Sequence, residues 1–144
     1  MSVYIDTSVI AAYYCPEAMS VAAQRLLSSI KGPVISWLTE VELLSALTRK
    51  VREQTLGTQD AERIASLFRE HVEAGYFTVL PVESADYGHA AQRIGRFSNA
   101  LRALDALHLA VVEREALTLA TADRTMAAEA KRIGLKTNLI SMEP

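Results

Sequence analysis

Three aspartates stand where a carboxylate could take part in chemistry. Asp105 lies in the segment 101–112, which is apolar almost all the way round a helix, so that helix is predicted to be buried. Asp6 and Asp123 directly follow short apolar runs that have the character of strands. Because a buried carboxylate is costly without a partner, these residues predict an acidic cluster that holds a cation. Carboxylate oxygens are hard ligands, which indicates Mg²⁺ or Mn²⁺.

The elements that must position these acids alternate along the chain. Strands are predicted at 3–5, 34–36, 77–80, 117–121 and 137–140, and helices at 8–14, 19–29, 38–52, 60–73, 84–97, 103–114 and 124–133. This alternation, with strands that lack polar alternation, indicates an α/β fold whose mainly parallel sheet is covered by helices on both faces. In such sheets ligands bind beyond the carboxyl ends of the strands, the side on which Asp6 and Asp123 fall.

Composition narrows the class of protein. The 144 residues predict one domain over 1–144, and a hydrophobic fraction of 50% with 22% charged residues is ordinary for a globular chain. The formal net charge of −2 provides no overall basic field for nucleic acid, although a local basic rim is compatible with it. The single cysteine, Cys15, excludes an internal disulfide and indicates a reducing compartment.

Localisation follows from two further features. No apolar run approaches the roughly 20 residues that a membrane-spanning helix needs, so we expect no membrane association. The first predicted strand begins almost at Met1, so we expect no targeting signal before it. Together with the single cysteine, these features predict a cytoplasmic protein.

Each candidate residue also has a purely structural interpretation. Asp6 and Asp123 each precede a predicted helix and could serve only to cap its backbone. Glu42 lies opposite the main apolar stripe of its predicted helix, and periodicity leaves a solvated role and a site role equally open. Thr7 and Thr121 could donate hydroxyl hydrogen bonds to the acids, or could be ordinary residues at strand ends.

The ordered set of motifs resembles the PIN-domain nucleases, and most closely the VapC-type toxins of bacterial toxin–antitoxin pairs. The matching pieces are VYIDTS at 3–8, ISWLTEVELLSAL at 35–47, LDALHLA at 104–110 and LATAD at 119–123. They extend over nearly the whole chain in the family's order. The resemblance implies a PIN-like three-layer α/β/α sandwich with a short central sheet.

The resemblance also assigns roles to individual residues. The family's four catalytic acids match, in order, Asp6, Glu42, Asp105 and Asp123. By this likeness the three aspartates hold Mg²⁺ or Mn²⁺, and Glu42 binds the ion or orients a water molecule. Thr7 and Thr121 match the small polar residues beside the first and fourth acids.

The implied function is that of a metal-dependent endoribonuclease, the toxin of a VapBC-type pair. The resemblance further implies a homodimer and inhibition by a small VapB-type antitoxin. A bound metal lowers the pKa of water and neutralises charge on the phosphate that is attacked. Arg49, Arg102 and His108 are candidates for contact with RNA. The alternatives are two solvated arginines and a core histidine that is hydrogen-bonded.

Other functions fit parts of the pattern. The main alternative is a PIN-like module that binds RNA or a protein partner with little or no cleavage. A phosphatase of the haloacid dehalogenase type needs an aspartate where Ser8 stands, and a receiver domain needs an acid pair where residues 1–3 have none. A flap-type DNA nuclease needs more acids and extra helices. The RNA, its cut site and the number of ions stay open.

Overall fold

The computed structural model describes residues 2–142, and within that range the chain forms five strands and seven helices. They are β1 Val3–Ile5, α1 Thr7–Tyr14, α2 Ser20–Ser28, β2 Val34–Ser36, α3 Trp37–Arg52, α4 Thr58–Glu73, β3 Thr78–Leu80, α5 Ser84–Ile94, α6 Ala103–Arg114, β4 Thr118–Thr121, α7 Arg124–Arg132 and β5 Thr137–Leu139. The predicted order of strands and helices is confirmed.

The strands form one sheet in the order β3-β2-β1-β4-β5, and every pairing between them is parallel. Successive strands run outward from β1 on one side, and the chain then returns to place β4 on the other side. The order therefore reverses between β1 and β4, where Ile5 pairs with Ala120. A crevice opens beyond the carboxyl ends of strands at such a reversal, and ligands bind there.

Helices cover both faces of the sheet. Tyr4 and Ile5 are neighbours in β1, point to opposite faces and are both 0% exposed. Ile5 belongs to an apolar cluster with α1, α2, α3 and α4, and Tyr4 belongs to a second cluster with α6 and α7. The three-layer α/β/α arrangement is therefore confirmed. None of the described helices is long and apolar enough to cross a membrane.

Helix α6 is buried as its sequence predicts. Each residue from Ala106 to Val112 is buried, so the helix has almost no solvent face beyond its ends. Asp105 stands at the third position of α6, next to this buried run and partly exposed. The sheet and α5 enclose the rest of the helix, and this leaves its first turn as the part that faces a cleft.

One helix ends earlier than its pattern predicts. We predicted α5 to reach residue 97, but it ends at Ile94. A Cβ at Gly95 would lie 2.9 Å from the carbonyl oxygen of Ala91, a contact that only glycine tolerates. Phe97 then adopts a left-handed φ of 55° and is 92% exposed, so the chain turns out into solvent.

Candidate active site

The four acids found in the sequence line one cleft of about 580 Å³ at the carboxyl edge of the sheet. Asp6 follows β1 and Asp123 follows β4, so parallel pairing of these strands brings the two residues to the same edge. Glu42 enters from the second turn of α3, and Asp105 enters from the first turn of α6. The polar lining consists of Asp6, Thr7, Ser8, Glu42, Ser45, Arg49, Arg102, Asp105 and Asp123.

Asp6 is held by hydroxyl groups and does not cap a helix. It occupies the N-cap position of α1 without any hydrogen bond from its side chain to that helix. Instead its Oδ2 accepts hydrogen bonds from Ser8 Oγ at 2.7 Å and from Thr121 Oγ1 at 2.8 Å. Asp6 is only 6% exposed. The structural interpretation of Asp6 as nothing more than a cap is therefore wrong.

Asp123 does cap a helix, but with one oxygen only. Its Oδ1 accepts hydrogen bonds from the backbone N–H groups of Thr125 and Met126, at 2.8 and 3.2 Å. The backbone N–H of Asp123 donates to Thr121 Oγ1, the same hydroxyl that bonds Asp6. Thr121 thus links the first and fourth acids, and capping and a role in the cleft coexist at Asp123.

Glu42 is oriented by two side chains that both bond its Oε1. Thr7 donates to this oxygen at 2.8 Å, and Nε2 of His108 is hydrogen-bonded to it as well. Burial acts to raise the pKa of Glu42, but the hydrogen bonds from His108 and Thr7 outweigh it and hold the pKa below its ordinary value. The Glu42 side chain is therefore a carboxylate at neutral pH.

Asp105 is the acid under electrostatic strain. Its Oδ2 accepts a hydrogen bond from the backbone N–H of Arg102 at 3.2 Å. Burial raises the pKa of Asp105 above its ordinary value, and the charges of Asp6 and Asp123 raise it further. The hydrogen bond from Arg102 opposes this shift without cancelling it. A cation in the cleft would relieve this repulsion.

One pattern unites the four acids. Each uses a single carboxylate oxygen for hydrogen bonds inside the protein, and its second oxygen bonds no residue of the described chain: the free oxygens are Oδ1 of Asp6, Oε2 of Glu42, Oδ1 of Asp105 and Oδ2 of Asp123. Four oriented carboxylates with one oxygen to spare form a donor set of the hard type that Mg²⁺ and Mn²⁺ prefer.

The spacing of these donors is wider than that of a closed metal site. No three His, Cys, Asp or Glu side chains among residues 2–142 lie together closely enough to hold one ion. The donor chemistry therefore fits a divalent cation, whereas side chains would have to move inward to coordinate it.

Comparison with protein families matches residues 3–132 to the family described as PIN domain. The chain belongs to the PIN-domain family. The resemblance inferred from the four sequence motifs is thereby confirmed. All four acids of the cleft fall within the matched residues, so the candidate site is part of the PIN domain itself.

Solved structures share the fold of this PIN domain. VapC20 from Mycobacterium tuberculosis, a toxin that cleaves the sarcin–ricin loop, superposes with a TM-score of 0.71 at 21% identity, over 89% of this chain and 95% of that one. VapBC2 from Rickettsia felis bound to promoter DNA has a TM-score of 0.69 at 14% identity, over 98% and 100%. VapBC-1 from nontypeable Haemophilus influenzae has 0.66 at 18%, over 96% and 98%. A search of curated proteins found no match.

Of the two interpretations of His108, the structure has the hydrogen-bonded core histidine. We expected it as a possible contact for RNA, but its ring is 0% exposed and sits behind Glu42. Its Nδ1 forms a 2.6 Å hydrogen bond with the hydroxyl of Tyr4, which is also fully buried. A ring enclosed in this way does not contact RNA, so that prediction is wrong and His108 belongs to the support of the PIN-domain cleft.

Two arginines at the mouth of the cleft carry the only positive charge among its polar lining residues. Arg49 and Arg102 are both exposed, and neither forms an ion pair with any residue of the described chain. Among the other described arginines, Arg63, Arg93, Arg114 and Arg132 are paired with carboxylates, and the rest are not. Two guanidinium groups without a carboxylate partner among the described residues therefore lie beside the cluster of acids.

Sequence reasoning missed two members of the site. Ser8 donates to Asp6 and accepts the backbone N–H of Ala122 at 3.0 Å, so it joins the two strand ends across the switch point. Its position two residues after an acid is a signal for a local hydrogen bond of this kind. Tyr4 lies behind the cleft, and no sequence signal connects it to a histidine 104 positions away.

A cleft of larger volume than the acidic cleft lies elsewhere on the protein. A cleft of about 650 Å³ lies beside Cys15, Lys50 and Asp60, away from the four acids. Burial raises the pKa of the Cys15 thiol, so it stays protonated at neutral pH and is a poor nucleophile. Cys15 is 2% exposed, as expected for a packed thiol. The acidic cleft is therefore the better candidate for chemistry.

Proposed function

We propose that this PIN domain is a metal-dependent endoribonuclease that acts as the toxin of a VapBC-type toxin–antitoxin pair. The observation that carries the proposal is the set of four carboxylates around one cleft, each oriented through one oxygen and left with the other. A protein without chemistry at this place would have no reason to keep the like charges around Asp105 together, because they raise its pKa and cost stability.

Residues of this chain divide the work. Asp6, Asp105 and Asp123 would hold Mg²⁺ or Mn²⁺, which supplies a water of lowered pKa and neutralises charge on the phosphate. Glu42 stays ionised and has Oε2 left to accept a proton or a hydrogen bond from the attacking water. Arg49 and Arg102 would bind the flanking phosphates through their planar guanidinium groups.

The structural neighbours support the choice of RNA and of an antitoxin. VapC20 cleaves the sarcin–ricin loop, and the Rickettsia and Haemophilus structures are of VapBC pairs. We carry both features over to this chain as proposals, together with a cytoplasmic location. Homodimer formation, implied by the resemblance to VapC toxins, stays a prediction that light scattering of the purified protein would test.

A second function is favoured by one specific observation. The described side chains do not form a closed group of metal ligands, as a domain that only binds RNA or a partner would also show. Such a PIN-like binding module would keep the fold and the cleft but would turn over little or no RNA. Metal-dependent turnover separates the two functions.

The first experiment is cleavage of total cellular RNA by purified protein freed of any antitoxin. We expect discrete fragments in the presence of Mg²⁺ or Mn²⁺ and no fragments when EDTA is present. The ends of the fragments would identify the class of RNA and the cut site. A folded protein that binds RNA but yields no metal-dependent fragments would contradict the nuclease proposal and favour the binding module.

Replacement of either cleft arginine by alanine is expected to weaken RNA binding. We expect Arg49→Ala and Arg102→Ala each to raise the Kd by about tenfold and to lower the slope of log Kd against log salt by about one, because each removes one phosphate contact. Fluorescence anisotropy with an oligonucleotide that contains the cleaved sequence, measured at several salt concentrations, checks both numbers.

Arg63 provides the matched control for this prediction. It is also an exposed helical arginine, but it pairs with Asp60 at 3.2 Å and lies outside the cleft. Arg63→Ala should leave affinity and salt dependence within twofold of the wild type. Equal losses for all three variants would mean that binding depends on overall charge and not on the cleft.

A further inference from the structure

We infer that Tyr4 and His108 are positioning residues that hold Glu42 in the acidic cleft through a buried chain of hydrogen bonds. The inference rests on the proposed function in one respect, since the role it assigns to Glu42 is that of orienting or deprotonating water. Neither Tyr4 nor His108 lines the cleft, so both act only through Glu42.

The chain of contacts is continuous from the sheet to the cleft. The Tyr4 hydroxyl lies 2.6 Å from Nδ1 of His108, and Nε2 of the same ring bonds Oε1 of Glu42. Tyr4, on β1, donates its single hydroxyl hydrogen to Ser36 Oγ at 2.8 Å, so its oxygen is the acceptor in the contact with Nδ1. Tyr4 and His108 are fully buried, while Glu42 is partly exposed at the end of the chain. The buried side chains of Tyr4 and His108 thus fix the orientation of the partly exposed Glu42.

The positions of the hydrogen atoms determine which atoms of this chain of hydrogen bonds donate and which accept. Nε2 of His108 faces a carboxylate oxygen, which offers no hydrogen, so Nε2 must donate. Nδ1 likewise donates to the Tyr4 oxygen, because the Tyr4 hydrogen goes to Ser36. Tyr4 at Nδ1 determines how the ring is turned, because it occupies the other ring nitrogen. A ring fixed at both nitrogens holds Oε1 of Glu42 in one position. Oε2 is then the oxygen that is left to bind a ligand.

Tyr4 also ties together the two helices that supply acids. Ser36, its second partner, is the N-cap of α3, where its Oγ accepts the N–H of Leu38. Helix α3 carries Glu42, whereas His108 lies one turn beyond Asp105 on α6. One phenol on β1 therefore contacts both the N-cap of the helix that carries Glu42 and the ring that bonds Glu42, which is a positioning function rather than simple packing.

The chain contains a matched control for this network. Tyr14 and His71 form the same kind of contact, with the hydroxyl 2.6 Å from Nδ1, but this pair lies on α1 and α4 beside a different cleft. Tyr14→Phe removes the same atom as Tyr4→Phe at a place that has no carboxylate beyond the histidine. Any general effect of losing a Tyr–His hydrogen bond will appear in both variants.

The kinetic test compares these variants in RNA cleavage. We expect Tyr4→Phe to lower kcat by about tenfold and His108→Leu by about 100-fold with KM within twofold, the range seen when support of an active residue is removed. His108→Gln, whose amide can still donate to Oε1, should recover most of the loss. Tyr14→Phe should match the wild type. Wild-type kcat in Tyr4→Phe and His108→Leu, or no recovery in His108→Gln, would overturn the inference.

A spectroscopic test judges the inference without any cleavage. NMR of protein labelled with ¹⁵N in histidine should show a ring N–H of His108 at Nε2 that is protected from exchange. We expect its resonance to shift in Tyr4→Phe and in Glu42→Ala, and to stay in place in Tyr14→Phe. If wild-type protein cleaves no RNA, the proposed function fails, while this signal still decides whether Tyr4 and His108 hold Glu42. A His108 protonated only at Nδ1, or unaffected by both substitutions, overturns the inference.

Discussion

Asp105→Asn is expected to abolish RNA cleavage and, at the same time, to raise the stability of the fold. We expect kcat/KM to fall by at least about 10³-fold, because metal-assisted charge neutralisation contributes several kcal/mol to such reactions. The substitution keeps an acceptor oxygen for the backbone N–H of Arg102, so the start of α6 stays intact. What it removes is the negative charge that faces Asp6 and Asp123.

The gain in stability follows from the sign of the pKa shift. The pKa of Asp105 is raised in the folded chain, first by burial and then by neighbouring charges, so the fold disfavours its ionised form. That cost is absent below the unfolded pKa of about 4 and grows as pH rises through the folded pKa. Asparagine avoids it, and we expect a gain of about 1 kcal/mol at neutral pH, or about 3 °C in Tm.

Thermal unfolding of both proteins in EDTA, at neutral pH and below pH about 4, measures this gain. Millimolar Mg²⁺ should then raise the Tm of the wild type, since it binds the folded acids, and should act much less on Asp105→Asn. A variant that cleaves RNA within tenfold of the wild-type rate would remove Asp105 from the catalytic set. A variant with a lower Tm in EDTA would mean that the charge does not strain the fold.

Asp86→Asn is expected to have the opposite effect on stability. Asp86 is 0% exposed and accepts charge-assisted hydrogen bonds from two N–H groups of Arg114: Nε, shared between both carboxylate oxygens, and Nη2 at 3.0 Å. It also accepts the backbone N–H of Glu83 at the start of α5. Loss of the charge would leave a half-buried guanidinium without its main partner, which costs about 3 kcal/mol and about 9 °C in Tm.

The direction of the pKa shift at Asp86 determines how the stabilisation from this ion pair depends on pH. Burial acts to raise the pKa of Asp86, but the bonds from Arg114 and Glu83 outweigh it and leave the pKa lowered. The stabilisation is therefore present above the unfolded pKa of about 4 and is lost as pH falls through the folded pKa. Urea unfolding at neutral and acidic pH should show the gap between wild type and Asp86→Asn closing in acid. A neutral-pH difference below about 1 kcal/mol would mean that Glu83 and Glu115 replace Asp86 as partners of Arg114.

Most of the architecture could be predicted from the sequence because it depends on local patterns. The strand at 3–5 and the helix at 103–114 were predicted with the bounds that the structure shows, since each is an apolar run with clear limits. The predicted extension of α5 to residue 97 is wrong for a local reason too: the periodicity continues, but Gly95 is a poor helix former and the backbone turns left-handed at Phe97. The switch point between β1 and β4 follows once alternation predicts a parallel sheet.

The candidate site was predictable only as a set of residues. Acids after strand ends must meet at one edge of a parallel sheet, so Asp6 and Asp123 follow from pattern alone. Glu42 could not be assigned from pattern alone, because the periodicity of its helix left a solvated role and a site role equally open. Only the resemblance to PIN-domain nucleases favoured a site role. The hydrogen-bond partners of each carboxylate oxygen could not be predicted from the sequence, because these bonds join distant residues. Thr7 and Glu42 are 35 positions apart, and Asp6 and Thr121 are 115 apart.

Three aspartates show where sequence information ends. Asp60, Asp86 and Asp105 each occupy the third position of a helix, in α4, α5 and α6 respectively. At this position the helix dipole stabilises a carboxylate. The sequence determined that common position. Only the tertiary structure decided that Asp60 stays exposed, that Asp86 is buried against Arg114, and that Asp105 lies near other carboxylates. Asp60→Asn should therefore change stability by less than about 0.5 kcal/mol, because the free energy of a carboxylate depends on the charges and solvent that folding brings to it.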